Sequence, residues 1–144
     1  MTATDEILDR SVAQMASPTL AAASISFHTN DEDKNDDTNV MVTVGVGTAE
    51  GGGFIMAAQI NDRFGRFGDQ SDNGPFDLVV FNPLTRDQLK TGSVEILIQP
   101  NGDDTWRFNF FLDLRFSDGS HLIARANRLQ LSQGEYSNAR FGIE

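Results

Sequence analysis

The sequence predicts an all-β fold, an antiparallel β-sandwich of about eight strands with a short N-terminal helix or tail. From residue 24 onward, apolar and polar residues alternate with a period of two, which is typical of strands with one buried face. Turn-forming residues divide this pattern into short runs, and no helix-length pattern alternates with them as a parallel α/β sheet requires. The 144 residues suit one domain, and the absence of cysteine excludes a disulfide scaffold.

The first 22 residues are predicted to form a separate tail or short helix, and the sandwich is placed at residues 23–144. Four apolar residues at helical spacing predict a helix over residues 5–16: Ile7, Leu8, Val12 and Met15. Ser17-Pro18 would end this helix, and a frayed tail is the alternative.

Targeting and membrane signals are not evident in the sequence. The acidic start lacks the basic region and apolar run of a secretory signal, and no span reaches the roughly 20 apolar residues of a transmembrane helix. We therefore expect no transmembrane segment. The compartment stays open, with the cytoplasm as the default and an extracellular location as the alternative.

Alternating runs predict the individual strands. In chain order these runs are 24–28, 40–46, 54–61, 76–81, 94–98, 106–116, 120–125 and 127–132. Asp118-Gly119 is typical of a hairpin turn, and residues 84–91 have room for one helical turn. The run 106–116 is apolar at every even position and is long for one strand, so we expect a bulge or bend near Phe111, which is apolar but out of phase.

The segment between the first two strands is strongly acidic. It carries five carboxylates within residues 31–37, and like charges this close repel each other unless they are solvated or neutralised. Ca²⁺ takes about six to eight oxygens from carboxylates, amides and carbonyls, and this segment offers all three. An EF-hand is excluded because Asp36 stands where that loop needs glycine and a strand follows instead of a helix. An ordinary solvated loop is the alternative.

Two further loops, 69–74 and 101–104, are also acidic and rich in amides. Loops from separate strands meet at the ends of a sandwich, so these loops could complete a cation site with the first. The predicted Ca²⁺ ligands are Asn30, Asp31, Asp33, Asp36, Asp37, Asp72, Asn101 and Asp103.

Several short elements resemble the PLAT domain family, the β-sandwich module of lipoxygenases and some bacterial phospholipase toxins. They are Thr29-Asn30-Asp31, Asp36-Asp37-Thr38-Asn39-Val40, the 92–96 strand and the turn that leads into Trp106. The likeness covers residues 24–131. It implies a non-catalytic domain that binds lipid surfaces or protein partners, often with Ca²⁺, and it carries over Asp31 and Asp37 as ligands.

Composition and motifs narrow the function further. A net charge of −10 with only two lysines disfavours binding to nucleic acid, which requires clustered basic residues. Gly51-Gly52-Gly53 lacks the strand–helix context of a phosphate loop, and no nucleophile motif is present, so we do not expect an enzyme.

The leading prediction is a calcium-binding module whose acidic loops order a contact surface for a lipid, carbohydrate or protein partner. The alternative is a structural or assembly protein that binds another protein through a sheet face, its acidic loops serving only solubility.

Overall fold

The computed structural model describes residues 17–32, 34, 38–47, 53–99, 105–132 and 138–143. The predicted helix over residues 5–16 lies outside this part of the chain. No helix among the described residues is both long enough and apolar enough to cross a membrane.

Eight strands and one short helix make up the described part of the chain. They are β1 (Leu20–Glu32), β2 (Asn39–Gly47), β3 (Phe54–Asp62), β4 (Asp72–Val80), α1 (Arg86–Leu89), β5 (Ser93–Gln99), β6 (Thr105–Phe116), β7 (His121–Ser132) and β8 (Asn138–Gly142). β1 begins inside the predicted N-terminal region, so Leu20, which is buried, belongs to the sheet. The helical turn predicted within 84–91 is confirmed as α1, which Thr85 caps.

All strand pairings in the described part are antiparallel, and they join the strands in the order β7-β6-β1-β4-β3-β2-β5-β8. β4 connects two halves: it pairs with β1 as far as Leu78 and then with β3 at Val79 and Val80. The outer strands β7 and β8 also lie close together, so the sheet is nearly closed. The all-β prediction is confirmed. The eight-stranded sandwich is not confirmed, because β4 joins the two halves of the described strands into one sheet.

One hydrophobic core fills the space inside this sheet. The even-numbered residues of β6 point inward as predicted, and they are almost completely buried: Trp106, Phe108, Phe110, Leu112, Leu114 and Phe116. The indole of Trp106 stacks on Phe108 with 3.7 Å between ring centroids, and its Nε1 donates to Thr29 Oγ1 at 3.0 Å. Burial of each large apolar side chain contributes about 1.5–3 kcal/mol before entropy is counted, so this strand is central to stability.

The bulge expected in the 106–116 run lies in the neighbouring strand instead. Phe108 pairs with Leu129 and Phe110 with Ala126, so two residues of β7 face Asn109 alone. β6 therefore keeps its phase, and Phe111 stays outward with 43% of its surface exposed. The predicted strands 120–125 and 127–132 are likewise one bulged strand, because a bulge shifts the pairing without ending it.

Candidate functional site

The outward face of β1 consists largely of small side chains. Inward residues such as Ile25 and Phe27 are buried in the core, so Ala22, Ser24 and Ser26 alternate with them on the outside. β1 lies between β6 and β4, whose outward side chains are larger. A shallow groove therefore runs along β1, and we call this surface, from Ala22 to Asp31, the outer groove. At about 3.3 Å per residue it is roughly 26–30 Å long.

Three hollows follow one another along the outer groove. The lower hollow, of about 350 Å³, lies over Ala22 and Ser24. The middle hollow, of about 400 Å³, lies over Ser26 and His28. The upper hollow, of about 510 Å³, lies beside Asn30 and Asp31, where the acidic segment begins. The hollows thus form a line of depressions, lined by both polar and apolar groups, on one face of the sheet.

Both histidines of the chain line this groove, and an aspartate holds each of them. His28 Nδ1 lies 2.7 Å from Asp72 Oδ1 in the middle hollow, because the two residues are paired between β1 and β4. His121 Nδ1 lies 2.7 Å from Asp113 Oδ1 in the lower hollow. In each pair the carboxylate fixes the ring and leaves Nε2 as the nitrogen that can bond to a ligand.

Asn109 cross-links the three strands at the upper end of the groove. Its Oδ1 accepts from the backbone N–H of Arg128 at 2.8 Å and from Asn30 Nδ2 at 3.2 Å. Arg128 is the β7 bulge residue, and its φ of 59° lies in the left-handed region that residues other than glycine rarely adopt. Asn109 therefore stabilises a bulge that places Arg128 on the wall of the upper hollow.

Arginine is the main basic residue of the groove. Arg107 is bound to its surroundings, since Nη1 lies 3.2 Å from Asp31 Oδ2 and Nε donates to Gln130 at 2.9 Å. Arg115 lines the lower hollow, Arg125 the middle one and Arg128 the upper one. The guanidinium groups of these last three form no ion pair or hydrogen bond with other described residues.

Three of the predicted calcium ligands lie in the described part, and all have other partners. Asp31 pairs with Arg107, Asp72 holds His28, and Asn30 donates to Asn109. Among the described residues, no three histidine or acidic side chains come together as a metal site would require. The other predicted ligands lie outside the described residues: Asp33, Asp36, Asp37, Asn101 and Asp103. Calcium binding therefore stays a prediction.

Sequence reasoning missed the role of Lys34, in the middle of the acidic segment. Lys34 is completely buried, and its ammonium donates to the carbonyl oxygens of Thr38 at 3.2 Å, Arg63 at 2.6 Å and Gly65 at 2.5 Å. It also lies 4.8 Å from the centroid of the Phe67 ring, close enough for a cation–π contact. A lysine surrounded in sequence by acids was the available signal. This internal cation fixes position 34 to residues 63–67.

Four other large apolar side chains are exposed outside the outer groove. Phe54 and Ile55 of β3 and Val79 and Phe81 at the end of β4 are more than one third exposed. They line none of the three hollows of the outer groove. These residues are therefore candidate contact points separate from the groove.

Comparison with known proteins leaves the family of the chain open. No protein-family model matches it, and no curated protein matches it. The PLAT resemblance accordingly stays a prediction.

Proposed function

We propose that the protein is a non-enzymatic binding module and that its outer groove binds an extended carbohydrate chain. The observation that carries this proposal is the line of three hollows, each lined by both polar and apolar groups, along one strand with small outward side chains. A groove of roughly 26–30 Å matches an extended ligand rather than a compact one. The remaining steps concern the chemistry of that ligand.

The amide side chains in the lining favour a sugar as the ligand. Six amide side chains line the middle and upper hollows: Asn30, Gln70, Asn73, Asn109, Asn127 and Gln130. An amide group carries donors and an acceptor side by side, which suits hydroxyl groups that also donate and accept. Four of the six already use one of their side-chain atoms within the protein, and their other atoms face the hollows: Asn30, Asn73, Asn109 and Gln130. The exposed ring of Phe111 adds an apolar surface in the middle hollow, against which the C–H face of a sugar ring can pack.

The histidines support binding rather than catalysis. A nucleophilic mechanism needs a hydroxyl or thiol within hydrogen-bonding distance of the base. Ser26 lines the same hollow as His28, but no hydrogen bond joins the two side chains in the described structure. The His–Asp pairs therefore serve as fixed hydrogen-bonding groups for a ligand.

Calcium binding by the acidic segment is a second proposal, and it would affect the same surface. The five carboxylates of residues 31–37 exceed the single charge of Lys34 by four. Asp31 belongs both to this segment and to the upper hollow. A cation bound by the segment would compete with Arg107 for Asp31, and it would thereby change the upper end of the groove.

Affinity electrophoresis tests the proposed groove, with native gels that contain dextran, polygalacturonate or dextran sulfate. We expect at least one of these polysaccharides to retard the protein. Ser26→Trp fills the middle hollow and should abolish the retardation, whereas Thr43→Trp adds the same bulk to the outward face of β2 and should not. Failure of all three polymers to retard the parent protein, or normal retardation of Ser26→Trp, would contradict the proposal.

A further inference from the structure

We infer that the carbohydrate bound in the outer groove is anionic and carries carboxylate or sulfate groups. This inference rests on the proposed function and specifies its ligand. Each hollow contains one arginine whose guanidinium has no bonded partner among the described residues: Arg115, Arg125 and Arg128. The ligand would thus meet a cationic group at three successive positions.

The acids of the groove are for the most part already engaged. Asp31 pairs with Arg107, Asp72 with His28 and Asp113 with His121. Asp77 is the exception, and it lies in the lower hollow opposite Arg115. A hydrogen bond to a neutral histidine leaves the charges of Asp72 and Asp113 in place. The upper hollow, with two arginines and one aspartate, should therefore attract an anion most strongly, and the lower hollow, with one arginine and two aspartates, least.

The backbone of the β7 bulge determines where Arg128 lies. Its left-handed backbone conformation is unfavourable for a residue with a β-carbon, and the hydrogen bond to Asn109 holds it there. A guanidinium presents parallel N–H groups that match the two oxygens of a carboxylate or a sulfate. The upper hollow thereby combines an arginine whose backbone is held in place with amide donors from Gln70 and Gln130.

The net negative charge of the chain means that only a local surface can attract a polyanion. At −10 the protein as a whole repels polyanions, so attraction to one must come from a local surface. A nucleic acid, which depends on many phosphate contacts, is disfavoured for the same reason. An acidic peptide shares the anionic chemistry but lacks the ring hydroxyls that the amides would bind, so it serves as a comparison in the test.

Isothermal titration calorimetry with four probes tests the inference: polygalacturonate for carboxylates, dextran sulfate for sulfates, neutral dextran and poly-glutamate. We expect binding to one of the two anionic polysaccharides and weaker or no binding to the others. Arg125→Gln combined with Arg128→Gln should lower the affinity about a hundredfold or more, which corresponds to the loss of two charge-assisted hydrogen bonds. Arg63→Gln, an exposed arginine outside the groove, should leave the affinity unchanged.

The outcomes separate this inference from the proposed function. One outcome would overturn the anionic ligand but support the groove. In that outcome the protein prefers neutral dextran, Ser26→Trp abolishes this binding, and the arginine double variant leaves it unchanged. Binding to poly-glutamate alone, or to no probe, would overturn both. Circular dichroism melts of each variant identify any loss of binding that results from unfolding, and Arg125→Lys, which keeps the charge, should recover part of the affinity if charge is the cause.

Discussion

Phe108 and Phe111 are the same residue type on one strand, yet they face opposite sides of the sheet. Phe108 is completely buried, whereas Phe111 is 43% exposed. Phe108→Ala should lower the free energy of unfolding by about 3–5 kcal/mol because it leaves a cavity among the aromatic rings. Phe111→Ala should lower it by less than about 1 kcal/mol. Urea denaturation measures both, and a larger loss for Phe111→Ala would invert the face assignment of β6.

The pKa of Asp118 depends on the geometry of the turn between β6 and β7. The Ser120 hydroxyl donates to its carboxylate at 2.6 Å and the Ser120 backbone N–H at 2.9 Å, and these bonds lower the pKa of Asp118. Ser120→Ala removes the first and largest cause, so the pKa of Asp118 should rise toward its usual value. Carbon-detected NMR titration of the carboxyl measures this rise, and an unchanged pKa in the variant would contradict the turn geometry.

The sign of the effect on stability follows from that lowered pKa. A carboxyl whose pKa is lower in the folded state stabilises the fold above its unfolded pKa, and this contribution is lost as the pH falls through the folded value. Ser120→Ala should therefore reduce the pH dependence of stability only in the acidic range below the ordinary pKa of aspartate. Asp118 is exposed, so the effect on stability is small.

At the scale of elements, Lys34 determines how the acidic segment is attached to the sheet. Lys34→Met keeps most of the apolar stem but removes the ammonium from three carbonyl oxygens. We expect a loss of about 1–3 kcal/mol, because three charge-assisted hydrogen bonds disappear but two of the carbonyl oxygens are part-buried and can still bond to water. The other lysine, Lys90, is a matched control. It is half-exposed, and its Nζ lies 3.7 Å from Asp87 Oδ1. Lys90→Met should cost less than about 1 kcal/mol, and equal losses for the two variants would contradict the buried position of Lys34.

The calcium proposal also belongs to this segment. A ligand that binds only the folded state at about 100 times its dissociation constant adds about 2.7 kcal/mol, which raises the melting temperature by several degrees. We expect such a rise with Ca²⁺ relative to chelator, and its loss in Asp31→Ala and Asp37→Ala. Asp77→Ala, outside the acidic segment, should respond as the parent does. An unchanged melting temperature at about 5–10 mM Ca²⁺, above the range of most sites, would exclude calcium binding.

At the scale of the whole molecule, the sequence predicted strands better than their arrangement. The period-two pattern of β6 identified its buried face because the alternation is local to one strand. The position of β1 between β6 and β4 depends on pairings between distant segments, which a local pattern does not contain. For the same reason, the sequence pattern did not predict that the strands join into one nearly closed sheet.

The candidate site was less predictable than the fold. Ala22, Ser24 and Ser26 form the floor of a groove only because two particular strands flank them. His28 and Asp72 are 44 positions apart in the chain and meet through strand pairing. Charge alone directed attention to the acidic segment, whereas the burial of Lys34 depends on carbonyl groups supplied by residues 63 and 65.

The central claim is that the outer groove is the binding surface of the molecule. Amide NMR spectra of the isotope-labelled protein, titrated separately with oligogalacturonate and with a sulfated dextran oligosaccharide, test it most directly because each backbone N–H reports its own surroundings. We predict that one of the two will perturb amides along β1 from Ala22 to Asp31 and along the facing segments of β4, β6 and β7. Perturbations confined to the exposed apolar residues Phe54 and Phe81, or a spectrum that neither oligosaccharide changes, would contradict the claim.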